Sequence, residues 1–169
     1  NIATGLSSTK DPKIFYASSA KVLMDCPVLV GKFKSWNFSV RGVSHKIVYW
    51  PLPNATMFDT SLLINDVKKI VEQTVKLFDT IPYKNYVFLF LDGAYGALEH
   101  ISSVTIGLPS ATFQRDIADM YNEIAHEYFH TWNLMALRPA EYSELNYGPQ
   151  EKAAGLWWSE GLSIFYADL

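Results

Sequence analysis

Ile124-Ala125-His126-Glu127-Tyr128-Phe129-His130-Thr131-Trp132-Asn133 is the stretch on which the reading of this chain turns. On a helix, His126 and His130 fall about 40° apart on one face and roughly 6 Å apart along the axis. Two imidazoles so placed can share one tetrahedral zinc ion. Glu127, turned about 100° from His126, flanks the same site and can reach a water there without being a ligand. Ile117, Tyr121, Ile124 and Tyr128 lie on the opposite side and form the expected core stripe. The packing face and the metal face therefore do not compete for positions.

A zinc ion in a hydrolase keeps three protein ligands and one open position. Working outward, the third ligand is expected at Glu160, in Trp157-Trp158-Ser159-Glu160-Gly161, 30 residues after His130. That distance leaves room for a loop and an antiparallel return. Gly161, lacking a side chain, is expected to let the second helix approach the first closely. The flanking Trp157, Trp158, Leu162, Phe165 and Tyr166 suggest an apolar setting, in which an isolated carboxylate is costly. Asp119, Glu123 and Asn133 also project towards the His126 side. They read either as partners for the imidazole N–H groups or as plain surface.

Upstream, Phe33 to Val40 alternates as a half-buried strand does, and Lys46 to Trp50 reads as another. A helix is expected from about Ser61 to Phe78, with Ser61 as its cap and Leu63, Val67, Ile70, Leu77 and Phe78 as its apolar stripe. Tyr86 to Leu91 is apolar on both faces and short, which predicts a buried central strand. Asp92 to Gly96 reads as a turn, and Glu99 to Leu108 as one extended stretch. Two helices are expected over about 113–135 and 150–169. Strands first and helices later give an α+β fold class.

The composition supports a packed domain: 169 residues, 49% hydrophobic and 15% aromatic. With a net charge of −3 and no basic run, nothing points to nucleic acid or to a membrane surface. No apolar run approaches the ~20 residues of a membrane span. Cys26 is the only cysteine, which excludes an intrachain disulfide and a Cys-rich metal site. The chain starts at Asn1 and stops at Leu169 inside an expected helix, which suggests a part of something longer.

A second motif, Gly96-Ala97-Leu98-Glu99-His100, resembles the G-x-M-E-N-type segment of zinc aminopeptidases, with His100 in place of the asparagine. Further pieces are Asp25-Cys26-Pro27-Val28-Leu29-Val30-Gly31, the block from His126 to Asn133, Arg138-Pro139 and Trp158-Ser159-Glu160-Gly161-Leu162. Together these resemble the glycyl-aminopeptidase family of gluzincin metallopeptidases. The resemblance implies a thermolysin-like catalytic subdomain over 56–169, preceded by the end of an N-terminal β-rich domain over 1–55. It also implies zinc, a peptide substrate with a free N-terminus, and glycine as the preferred residue. Glu99, with Gly96 and Ala97 on the same strand, would hold the substrate amine. One departure stands out: Asn133 to Arg138 is mostly apolar where the family is basic.

The expected chemistry is hydrolysis assisted by zinc on His126, His130 and Glu160, with Glu127 as general base. Two alternatives stay open. If Glu99 is only structural, a thermolysin-type endopeptidase is favoured. A non-catalytic domain that keeps zinc for stability is the reading from another class.

Overall fold

The computed structural model describes residues 1–115, 117–140 and 154–169. Its centre is a five-stranded mixed sheet. Three short strands come first, β1 (Ile2–Thr4), β2 (Ser7–Ser8) and β3 (Phe15–Tyr16), followed by helix α1 (Ala20–Asp25) and β4 (Val28–Val30). The sheet itself comprises β5 (Lys34–Val40), β6 (Val43–Trp50), β7 (Asn85–Asp92), β8 (Gly96–Glu99) and β9 (Ser103–Leu108). Its spatial order is β5-β6-β7-β9-β8. β6, β7 and β9 are parallel, and the two outer strands run antiparallel to their neighbours. Residues on both sides of position 55 thus share one sheet, and the α+β expectation is borne out.

β5 and β6 meet across Arg41-Gly42, both left-handed with φ of 48° and 79°. A two-residue turn of that hand matches the twist of a hairpin. β6 reaches β7 through helix α2 (Thr60–Phe78). Asp59 rather than Ser61 caps α2, accepting the N–H groups of Ser61 and Leu62. Its buried stripe is Leu63, Val67, Val71 and Val75, so the expected Ile70, Leu77 and Phe78 lie to one side of it. Leu77 is half exposed.

β7 is the central strand, as its two-sided apolar pattern requires. Tyr86, Phe88 and Phe90 point into the core shared with α2, together with Ile47, Tyr49, Val104 and Ile106. Val87 and Leu89 point to the other face, where Val48 and Ala3 meet them under β1 and β4. Burying Phe88 and Phe90 contributes roughly 1.5–3 kcal/mol each before the cost of ordering the chain. The stretch expected as one extended run, 99–108, is instead a hairpin: β8 ends at Glu99, His100–Ser102 turn, and the His100 N–H donates to the Ser103 carbonyl at 2.9 Å.

The region expected as one helix over 113–135 is helical up to Phe129 among the described residues and then changes character. A short α3 (Thr112–Arg115) precedes α4 (Ile117–Phe129), and Thr131–Ala136 form a wider, π-helical turn. There, Met135 and Leu137 donate to the carbonyls five residues back, at 2.9 and 2.8 Å. Asn133, with ψ of 42°, breaks the regular path. The ring of Trp132 stacks on Phe78 and ties this turn to the end of α2. Helix α5 (Leu156–Ala167) then returns along α4. Gly148, Pro149 and the first residues of the expected 150–169 helix lie outside the described residues.

Candidate metal centre

His126 lies in the last turn of α4, His130 directly follows its last residue, and Glu160 comes from the first half of α5. Their ligating atoms form a triangle. His126 Nε2 and His130 Nε2 are 3.0 Å apart, and Glu160 Oε2 is 3.3 Å from the first and 3.6 Å from the second. Ligands about 2.0–2.1 Å from a tetrahedral ion sit roughly 3.3–3.4 Å from one another. The donor set and its spacing therefore fit zinc. Among the described residues this is the one group of three or more His, Cys, Asp or Glu placed to hold a metal.

The surroundings support ligation. Burial lowers the proton affinity of His126, and the neighbouring His130 adds to this, while Glu160 and Glu123 pull the other way. A neutral imidazole is the form that binds metal. His130 Nδ1 lies 3.2 Å from Ser163 Oγ, on the α5 turn after Glu160. Were Nε2 to hold a metal, Nδ1 would carry the proton and donate it to the serine, fixing tautomer and ring orientation. Ser163 was not foreseen from the sequence; a serine three positions after an expected ligand, on the same helix face, was the available signal. Asn133 proves to be structural: its Nδ2 donates to the Ser159 carbonyl at 2.8 Å, holding the kinked turn against α5.

Two expectations about α5 need correction. Among the described residues, a side chain at Gly161 would meet nothing within 4 Å, so this glycine does not mediate close approach of α5 to α4. Nor is Glu160 enclosed by its apolar neighbours: its side chain is 42% exposed, and Trp157, Trp158 and Phe165 are exposed as well. The carboxylate escapes the cost of burial because α5 turns those residues outward.

Glu127 is buried beside the triangle, and among the described residues its Oε2 has no hydrogen-bond partner. Burial, with the carboxylates of Glu99, Glu123 and Glu160 nearby, pushes its pKa up to about 8. A divalent cation on the triangle would oppose that shift and favour the ionised form. Glu99 reaches this centre from the edge strand. Glu99 pairs with Val104 and Ala97 with Ile106, so both project to the helix-covered face of the sheet. Gly96, with φ of 82°, opens the same strand and is exposed.

A groove of about 340 Å³ runs from the triangle along α4, lined by Asp119, Glu123, His126, Glu127, Ile164 and Asp168. Asp119 and Glu123 are exposed there. A larger depression of about 590 Å³, lined by residues including Leu77, Phe129, Tyr166 and Leu169, holds no ligand of the triangle. Tyr166 stacks on Phe129 there, at 5.0 Å. Tyr142 and Tyr147 lie outside the described residues. Arg138 donates to the Met135 carbonyl at 3.1 Å and closes the wide turn.

The family model of the M61 glycyl aminopeptidases matches residues 119–169, the span that holds all three triangle residues. Among solved structures, an aminopeptidase N family protein from Idiomarina loihiensis superposes with a TM-score of 0.89 and 25% identity, covering 99% of this chain and 30% of that one. An M1 zinc metallopeptidase from Deinococcus radiodurans gives a TM-score of 0.47 and 17% identity, over 76% of this chain and 31% of that one. Among curated proteins, none matches the sequence. The chain thus spans about 30% of the length of the solved structures it resembles. The family match and the likeness to the Idiomarina loihiensis protein make this chain similar to part of an aminopeptidase. The likeness to the glycyl aminopeptidases rests on residues 119–169, and the likeness in fold on 99% of the chain.

Proposed function

We propose that this chain carries the zinc-binding half of an aminopeptidase active site. The reading rests on one observation: the triangle of His126, His130 and Glu160 has tetrahedral spacing and stands beside the buried, unpartnered carboxyl oxygen of Glu127. Bound there, zinc would acidify a water and polarise the scissile carbonyl. Glu127 takes the proton of the attacking water and returns it to the leaving amine. Glu99, facing the same centre, pairs with the free ammonium of the substrate and limits cleavage to the first residue. Glycine as that residue follows from the family likeness alone, and Gly96 and Ala97 would line its place.

The test measures zinc content and cleavage of glycyl peptides, free and N-acetylated, in the full-length parent protein and in its Glu99→Gln and Glu160→Ala variants. Wild-type protein should bind zinc and prefer the free peptide. Glu160→Ala should lose the metal, and Glu99→Gln the preference. Absence of zinc uptake by the wild type overturns the ligand assignment. Equal cleavage of both peptides makes Glu99 structural and the protein an endopeptidase. Zinc uptake with no cleavage leaves a metal-stabilised binding domain.

A further inference from the structure

The segment Asp25-Cys26, singled out in the sequence but unused by the chemistry, touches the turn that follows Glu99. Asp25, the last residue of α1, accepts the Ile101 N–H on Oδ2 at 2.8 Å, and its Oδ1 faces His100 Nδ1 at 3.9 Å. His100 Nε2 lies 3.3 Å from Thr105 Oγ1 across the hairpin. Ser102 Oγ donates to the Gly5 carbonyl at 2.8 Å, with Cys26 Sγ 3.8 Å away. The Ser102 carbonyl in turn accepts the Val87 N–H of the central strand at 3.1 Å. Gly5 is required at its place, because a Cβ there would stand 2.6 Å from Ser102 Oγ. Ile101 and Ser102 are therefore held from outside their own hairpin, and His100 faces the same Asp25 carboxylate.

Such a hold answers a physical need. β8 is an edge strand, hydrogen-bonded on one side to β9 alone. Its last residue, Glu99, stands near the carboxyl of Glu127, so a small displacement of the strand changes where the Glu99 carboxyl stands in the site. A short edge strand anchored only by its hairpin is prone to fraying. Asp25 meets the backbone two residues beyond Glu99, on a different layer of the molecule, and resists that movement.

We propose that Asp25 is a positioning residue for Glu99, fixing the β8–β9 turn through the Ile101 N–H and so the place of the carboxylate that faces the substrate amine. This rests on the reading of Glu99 as amine anchor. His100 stands against the same carboxylate, which gives a role to the residue that departs from the family pattern.

The experiment uses Gly-Gly-Phe-amide and its N-acetyl form as probes of the full-length zinc-loaded parent protein, and reads the ratio of their affinities. A charge-assisted contact to the amine predicts a ratio of about 10 or more for the wild type. In Asp25→Ala the ratio should fall to about 3 or less, with zinc content and affinity for the acetylated peptide unchanged and faster hydrogen exchange at the Ile101 amide. Asp25→Asn keeps an acceptor oxygen and should restore most of the ratio. A folded Asp25→Ala protein with the wild-type ratio overturns the proposal. Should that variant lose its zinc or its fold, Ser102→Ala decides: it drops the second tether of the same turn, and an unchanged ratio there overturns the proposal too. A wild type that does not distinguish the two peptides removes the Glu99 reading and, with it, the role of Asp25.

Discussion

Ser163 Oγ stands 3.2 Å from His130 Nδ1, so the helix that supplies Glu160 also meets the imidazole that follows the end of α4. Both residues are almost fully buried, which leaves the imidazole no water to turn to if the hydroxyl is lost. In Ser163→Ala the zinc affinity should fall about 10- to 100-fold, as for other partners of metal-bound histidines. Competition with a chromophoric chelator measures it. An affinity within twofold of wild type would show that the serine does not support the ligand.

Glu127→Gln separates binding from chemistry. The amide keeps the size of the side chain and lies outside the triangle, so zinc content should match wild type. Peptide turnover by the parent protein should drop by roughly 10²–10⁴-fold with loss of the general base. Undiminished turnover would remove Glu127 from the mechanism.

His45 gives the fold a defined acid sensitivity. Its Nδ1 is 3.0 Å from the Val43 carbonyl and its Nε2 2.8 Å from the Tyr83 hydroxyl, which also contacts the hydroxyl of Tyr128 on α4. Burial lowers its pKa to about 4. The unfolded chain takes up this proton near pH 6.5, whereas the folded chain refuses it until about pH 4. Stability is thus full above pH 6.5 and is lost as the pH falls from there towards 4, by up to about 1.4 kcal/mol per unit from this group. Urea midpoints at pH 7, 5.5 and 4.5 should show that slope in wild type and a shallower one in His45→Gln. Equal slopes would assign the acid sensitivity elsewhere.

Two glycines should respond in opposite directions. At Gly107 a Cβ would stand 2.6 Å from the Tyr95 backbone nitrogen and 2.7 Å from the Ala94 carbonyl carbon, and neither can yield cheaply. Gly107→Ala should cost roughly 1–3 kcal/mol and loosen β8, its partner strand. Gly161 sits inside α5 with open space beside it, so Gly161→Ala should be neutral or stabilise by about 0.5–1 kcal/mol. Thermal midpoints decide; a destabilised Gly161→Ala would mean that something packs there.

The parts that sequence made legible are those where one pattern has one cause. β7 is apolar on both faces because both faces are covered, and β5 alternates because one side of it is more exposed. The His126–His130 spacing fixes a shared helix face whatever the tertiary context. Elsewhere the pattern was degenerate. Asp59 and Ser61 are both good caps, and only the path of the chain selects Asp59. Apolar residues at both 70 and 71 allow two phases for the α2 stripe. β8 and β9 read as one run because their turn, His100-Ile101-Ser102, contains neither Gly nor Pro. The widening after Phe129 left no mark in composition, since a helix with bonds five residues back uses the same residues as one with bonds four back. The direction in which Gly161 faces depends on how α5 rotates, which no local signal carries.

The order of the chain also sets a sequence of events in time. β5 and β6 are joined by two residues and can meet within microseconds, whereas β6 and β7 must wait for the 34-residue crossover that contains α2. His126 and His130, four residues apart, arrive together. Glu160 arrives only when α5 has docked. A molecule caught before that step offers zinc two imidazoles and no carboxylate, so the metal would act late, as a latch that rewards the last helix for finding its place.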